Sequence, residues 1–248
     1  MQSGKIMQFW SAEAAGFMAD ATEYSDFYRK LTEILLPYLP KDGHICDAGC
    51  GLGYLSLRLA PYCRLITAVD RSAEALAVLE RNIAAGGPRN ITPLCGEIEN
   101  LPPREPYDAM VFCFFGTAEE TLRLARAQCR GRVIIIQKGW SEHRFSLGRK
   151  KMNRRSYADT LALLKELEIP CRCEKLTLEM GQPFRSLRDA CRFFEIYENS
   201  GAAVTEEAVR ARLTPTGRQD FPWYLPQPKE MGFITLETGD LPDSINRN

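Results

Sequence analysis

Neither sign of charge prevails in this chain. Its 32 lysines and arginines face 32 aspartates and glutamates, so no global field draws it toward nucleic acid or an anionic membrane. Long apolar runs are missing too; none approaches the roughly 20 residues that a membrane helix needs. Trp10 and Glu13 stand where a secretory signal would carry a leucine-rich stretch. The expectation is a cytoplasmic protein with no membrane partner. Histidine is scarce, with only His44 and His143. Cysteine is not scarce, but nine is an odd number, and Cys46, Cys95 and Cys113 fall in apolar runs where a thiol acts as a small buried hydrophobe. That argues against a disulfide framework. Cys171 and Cys173, with Cys191 further on, have no Cys-x-x-Cys partner, so no metal is expected. No internal repeat and no low-complexity tract is visible.

What is present centres on residues 44–59, His-Ile-Cys-Asp-Ala-Gly-Cys-Gly-Leu-Gly-Tyr-Leu-Ser-Leu-Arg-Leu. An apolar run ends at Asp47, glycines follow at 49, 51 and 53, and a leucine-bearing segment stops before Pro61. That pattern reads as strand, tight turn and helix. Glycines this dense are needed where the backbone takes φ > 0 or where a ligand must touch the main chain. A dinucleotide-binding turn would run Gly-x-Gly-x-x-Gly/Ala, with a small residue where Tyr54 stands. A second apolar run, Leu65 to Val69, ends in Asp70, 23 residues after Asp47. A carboxylate at that place can accept from both ribose hydroxyls of a nucleoside lying across the strand ends.

Asp47-x-Gly49-x-Gly51-x-Gly53 resembles the first motif of class I S-adenosylmethionine-dependent methyltransferases, and Asp70 stands where that family keeps its ribose acid. Gly96-Glu97-Ile98 resembles the third motif. The resemblance covers about residues 43–180 plus the last strand. It implies S-adenosyl-L-methionine as cofactor, with Gly49, Gly51 and Gly53 against its methionine part and Asp47 nearby. Asp70 would take the ribose with Arg71 beside it, Glu97 and Ile98 the adenine, and the backbone near Cys113 the methionine amine. It also implies a Rossmann-like α/β fold: a seven-stranded, mostly parallel sheet with helices on both faces and an antiparallel last strand.

The rest of the chain is compatible with that scheme. Residues 9–39 read as helical, with Ser11 capping a first helix, a break over 19–24, and Ser25 capping a second helix whose apolar positions are Phe27, Leu31, Ile34, Leu35 and Tyr38. Phe17 and Tyr28 read as core, whereas Trp10 and Tyr24, each taken to lie near a helix start, are candidates for a lid over the cofactor. Ser72 opens a helix that Gly86-Gly87-Pro88 ends, and Ile91 to Cys95 is the third strand. Tyr107 to Cys113 reads as a central strand covered on both faces, and Phe114-Phe115-Gly116 would face the transfer site. Thr117-x-x-Glu120 is a capping box. Arg132 to Gln137 is the fifth strand, and Ser156 opens another helix. Leu176, Leu178 and Met180 alternate with polar residues, as do Ile234 and Leu236, so the last two strands read as half-buried and antiparallel.

Four segments follow: residues 1–42 as an N-terminal helical cover, 43–182 as the cofactor-binding α/β core, 183–230 as a helical and proline-rich insertion, and 231–248 as the last strand and tail. Within the insertion Ser186 and Thr205 cap helices and 215–228 reads as a loop. A plain hairpin would need only about two to five residues, so the insertion is an added subdomain or an oligomer contact, a homodimer for instance. A sulfonium is already an activated electrophile, so alignment of the nucleophile supplies much of the rate. His143, after the fifth strand, is the candidate base; His44 starts the first strand at the opposite end. No Asn/Asp-Pro-Pro-Tyr/Phe signature of nucleic-acid amine methylation follows the fourth strand, which points to a small-molecule acceptor. Tyr24, Phe115 and Arg149 are the candidates to bind it. Lys138, Arg144, Arg149, Lys150, Lys151, Arg154 and Arg155 oppose only Glu142 between 138 and 155. They would hold an anionic acceptor or, in the alternative, RNA phosphates. A third reading, of a different class, is a regulatory protein that binds the cofactor without turnover.

Overall fold

Side-chain alternation decides the layering. The computed structural model describes residues 10–139, 145–148 and 156–246. The strands are β1 (His44–Ala48), β2 (Leu65–Asp70), β3 (Ile91–Cys95), β4 (Tyr107–Cys113), β5 (Cys129–Lys138), β6 (Arg172–Glu179), β7 (Gln182–Phe184), β8 (Thr214–Pro215), β9 (Trp223–Leu225) and β10 (Pro228–Glu237). The helices are α1 (Ala12–Tyr24), α2 (Phe27–Leu35), α3 (Tyr54–Leu59), α4 (Ala73–Ala84), α5 (Ala118–Gln128), α6 (Tyr157–Glu166), α7 (Leu187–Tyr197) and α8 (Glu206–Arg210). Successive strand residues point to opposite faces. Ile45, Ile66, Val111, Ile134 and Phe233 therefore share one core with α2, α3 and α4. Cys46, Val69, Met110, Ile135 and Ile234 share the other with α5 and α6. Every central strand is buried on both sides, which is why its sequence is a continuous apolar run rather than an alternating one.

The large sheet has the order β3-β2-β1-β4-β5-β10-β6. Its pairs are parallel except those of β10, which is antiparallel to both β5 and β6. This is the seven-stranded α/β sheet that the sequence predicts. The expectation of a half-buried last strand is corrected: Met231–Leu236 is buried without a break, because β10 is wedged between two neighbours instead of lying at the edge. The edge strand β6 does alternate. Gly232 makes room here, since a Cβ on it would overlap the ring of Tyr157 at the start of α6.

The ends of the elements follow local chemistry. Ser11, Ser72, Thr117, Ser156, Ser186 and Thr205 each accept from a backbone N–H of the first turn, satisfying donors that helix geometry leaves open. The predicted break over 19–24 does not exist: α1 continues to Tyr24, held by its alanines and by packing on the insertion. Ser25 therefore ends α1, and Asp26 precedes α2. The N-terminal helices differ in what they bury. Phe27, Leu31 and Leu35 of α2 belong to the main core, whereas Phe17 of α1 packs against a separate cluster of Phe184, Phe193 and Phe194. That cluster is the heart of the insertion, which also folds a small sheet, β7-β9-β8, whose middle strand β9 lies in the 215–228 stretch read from sequence as a loop.

All nine cysteines are free. Cys95, expected to be buried, is exposed, because it closes the edge strand β3. Among the described residues, no helix is long and apolar enough to cross a membrane.

Candidate active site

Parallel strands that stop together leave a row of loops. Ala48, Asp70 and Cys113 end β1, β2 and β4 on one edge of the sheet. Strand order reverses between β1 and β4, and the crevice at such a point is where open α/β sheets bind ligands.

The glycine turn leaves β1 here. Gly49, Gly51 and Gly53 all sit at positive φ, 71°, 54° and 74°, a conformation that only glycine adopts at little cost. The N–H groups of Gly49 and Cys50 donate to the carbonyl of Val69 at 2.8 and 2.9 Å, which ties the turn to the end of β2. Asp70 completes the join: its Oδ2 accepts from Gly51 N–H at 2.8 Å and its Oδ1 from Ser72 N–H at 2.9 Å. A carboxylate has about four acceptor positions. Each Asp70 oxygen therefore keeps one for a further donor, the requirement for holding a pair of vicinal hydroxyls.

Asp47 is placed differently from Asp70. It is 1 % exposed and accepts from the Ser56 hydroxyl at 2.5 Å, which pins the start of α3 to β1. Burial pushes its carboxyl up to about 6; the Ser56 bond works against that, and the nearby Asp70 charge adds to it.

Two aromatic rings lie on the turn. A Cβ on Gly51 would fall 3.1 Å from Trp10 Cζ2, and one on Gly49 would overlap the Phe115 ring. Phe115 in turn stacks on Phe112, with centroids 6.0 Å apart. Glu97 is exposed and lies 3.6 Å from the guanidinium of Arg71, also exposed, a pairing worth little in water. Ile98 beside it is buried, and its carbonyl accepts from Gln128 Nε2 at 2.9 Å. Cys113 carries a neutral thiol, because burial and the neighbouring Asp47 push it up to about 12.

Tyr24 ends α1 and stands just before Asp26, which opens α2. It stacks on Tyr224 at 4.9 Å and meets Phe221 edge-on at 5.8 Å, so the insertion holds it. His143 and Arg149 lie outside the described residues, as does most of the basic run. His44 is a structural residue: its Nε2 is 2.8 Å from Thr67 Oγ1 and its ring packs on Tyr107. Among the described residues no group of three or more His, Cys, Asp or Glu could hold a metal ion.

Sequence reasoning placed Phe114 at this edge but missed its backbone conformation, read Tyr28 only as core, and missed Lys229. Tyr28 lies 5.8 Å from Tyr54, and burial, with Cys113 and Asp47 nearby, pushes its phenol well above the ordinary range. Phe114 has φ 58° at the end of β4, which no sequence pattern announces. Lys229 could have been found, because the first residues of an antiparallel strand lie at the edge where its parallel neighbours end.

A glycine cradle, a two-oxygen acceptor and an apolar step at Ile98 suit a nucleoside carrying a methionine-like tail. The sheet order is that of the Rossmann-like class I methyltransferase fold. Residues 45–136 match the family model described as methyltransferase domain. Over those residues the chain carries a methyltransferase domain, of a kind that typically uses S-adenosylmethionine.

No curated relative matches the sequence. Solved structures share the fold. YcgJ of Bacillus subtilis is 14% identical at a TM-score of 0.56, covering 84% of this chain and 97% of its own. A precorrin-6y C5,15-methyltransferase of Geobacter metallireducens is 11% identical at 0.52, covering 84% and 88%. A precorrin 8w decarboxylase of Methanobacterium thermoautotrophicum is 17% identical at 0.52, covering 84% and 89%.

Proposed function

We propose that the protein binds S-adenosylmethionine through the turn and strand ends described above and transfers its methyl group to a small, anionic acceptor. Asp70 carries this reading, because both of its oxygens are oriented by backbone N–H groups and each keeps an acceptor position. Gly49, Gly51 and Gly53 let the backbone approach the methionine part. Arg71 flanks the ribose, Glu97 and the N–H of Ile98 meet the adenine, and the backbone at Cys113 meets the amine. When bound, the cofactor supplies an electrophilic methyl, so the protein's part is to orient the acceptor and exclude water. Trp10 covers the turn, and Phe115 separates it from the acceptor side. Tyr24 is proposed to bind the acceptor; the roles of His143 as base and Arg149 as a cation near it rest on the sequence alone, since both lie outside the described residues. The lack of net charge supports a small acceptor; the basic run between 138 and 155 is the feature that favours RNA instead. Residues 43–182 with α2 form the catalytic unit, and 183–230 with α1 form a subdomain that also offers a surface for a second copy.

Calorimetry tests the cofactor assignment. S-adenosylmethionine and its demethylated product should bind, and NAD far more weakly, because Tyr54 occupies the place of the small residue of a dinucleotide turn. Asp70→Ala should weaken cofactor binding by roughly 1.5–3 kcal/mol, the scale of hydrogen bonds to a charged group. Tight NAD binding without a response to S-adenosylmethionine would refute the assignment.

A further inference from the structure

β10 runs against its neighbours, so its first residues come to the edge where β4 and β5 end: Met231 pairs with Lys138, and Lys229 with Leu178. From that position the ammonium of Lys229 lies 5.0 Å from the centre of the Phe27 ring and 5.2 Å from that of Phe114. Its Nζ is 3.1 Å from the Met180 sulfur. Two aromatic faces and a thioether hold the cation in a half-buried place, close enough to Cys113 to affect its thiol. Low-dielectric surroundings strengthen the attraction of such a charge for an incoming anion.

Phe114 is costly in two ways. Its φ of 58° is uncommon for a bulky residue, and it is 38 % exposed, one of two large hydrophobic residues exposed among those described. Backbone strain of this kind costs about 1–3 kcal/mol and clusters at ligand sites. The strain turns the ring out of the strand line, beside the lysine and next to Phe115 on the glycine turn.

We infer that Lys229 and the face of Phe114 form the acceptor subsite, and that the acceptor is a small planar anion. The ammonium holds the negative group while the ring of the acceptor lies on Phe114. This rests on the methyltransferase reading, since it places the acceptor across Phe115 from the cofactor.

The experiment titrates protein saturated with S-adenosylhomocysteine against two probes of one shape, benzoate and benzamide. Benzoate should bind at least about 10-fold more tightly, the lower end for a hydrogen bond to a charged group. Lys229→Met should abolish that difference and Lys229→Arg should keep it. Phe114→Gly, which removes the ring and relieves the positive φ, should weaken both probes alike without lowering Tm. Equal binding of the probes to the unmutated protein, binding of neither, or an anion preference that survives in Lys229→Met would overturn the inference. If S-adenosylhomocysteine itself does not bind the folded protein, the methyltransferase reading fails first; if it binds and benzoate has no advantage, only the subsite fails.

Discussion

Asp47 and Asp70 are two carboxylates of one site with opposite surroundings. Asp70 is tied by two backbone N–H groups and keeps acceptor capacity at the crevice. Asp47 is sealed beneath the turn with the Ser56 hydroxyl as its partner. Folding raises the Asp47 carboxyl from its ordinary 3.8 to about 6, so between those values the folded state binds more protons than the unfolded chain. The stability this group supplies is therefore full below pH 4 and is lost as pH rises to 6; the gap corresponds to about 3 kcal/mol. Asp47→Asn keeps an acceptor for Ser56 and removes the charge. It should raise stability at pH 7 by about 1–2 kcal/mol, part of that gap, and flatten the decline between pH 4 and 6 in urea titrations. An unchanged pH profile would mean that Asp47 is not the group that titrates there. At this scale the motif acids and glycines were legible as residue types, because the chemistry of the turn leaves no other choice. That Asp47 is sealed in and Asp70 is not depends on Ser56, nine residues on in the first turn of α3, and no motif includes it.

α1 and α2 look alike in sequence and do different work. α2 puts Phe27, Leu31 and Leu35 on one face, at the spacing a helix needs to bury a stripe, and the main core takes all three. α1 buries only Ala14 and Ala21. It is held instead by the insertion: Glu13 takes both Arg192 Nε and Nη2 at 2.7 and 2.9 Å, Asp20 pairs with Arg185 at 2.7 Å, and the carbonyl of Phe17 accepts from Gln182 at 2.9 Å. These partners stand some 165 or more positions away, which is why local reading put a break at 19–24 and treated both helices as one cover. A helix fixed by exposed ion pairs belongs to the low-stability end of a fold. Gly16 lies mid-helix, and a Cβ added there would meet nothing within 4 Å. Gly16→Ala should therefore stabilise α1 by about 0.5–1 kcal/mol and slow amide exchange there severalfold, leaving α2 unchanged. Cofactor should slow α1 further through Trp10. Equal effects on both helices would show that they open as one unit.

At the scale of the whole molecule, charge is what separates the proposed small acceptor from RNA. Its formal net charge is zero, and many of its arginines are committed to internal pairs, with Arg126, Arg130, Arg132, Arg185, Arg192 and Arg218 each facing a carboxylate. The seven-stranded, mostly parallel sheet was legible because its strands alternate with helices along the chain; the second small sheet was not, because its strands are two or three residues long and its pairing is remote in sequence. Seven basic residues between 138 and 155 remain as the feature that could recruit RNA. If all seven met phosphates of a single strand, log K would fall with log salt at a slope of about −5. A small anion held by one or two cations would give a slope nearer −1. Fluorescence titration of a generic single-stranded RNA between 50 and 200 mM salt, taken here as about the range over which such contacts decay, should show weak binding and a shallow slope. Removing single cations such as Lys150 or Arg154 should leave that slope unchanged. A steep slope that becomes shallower by about one for each cation removed would assign the basic run to RNA and displace the small acceptor.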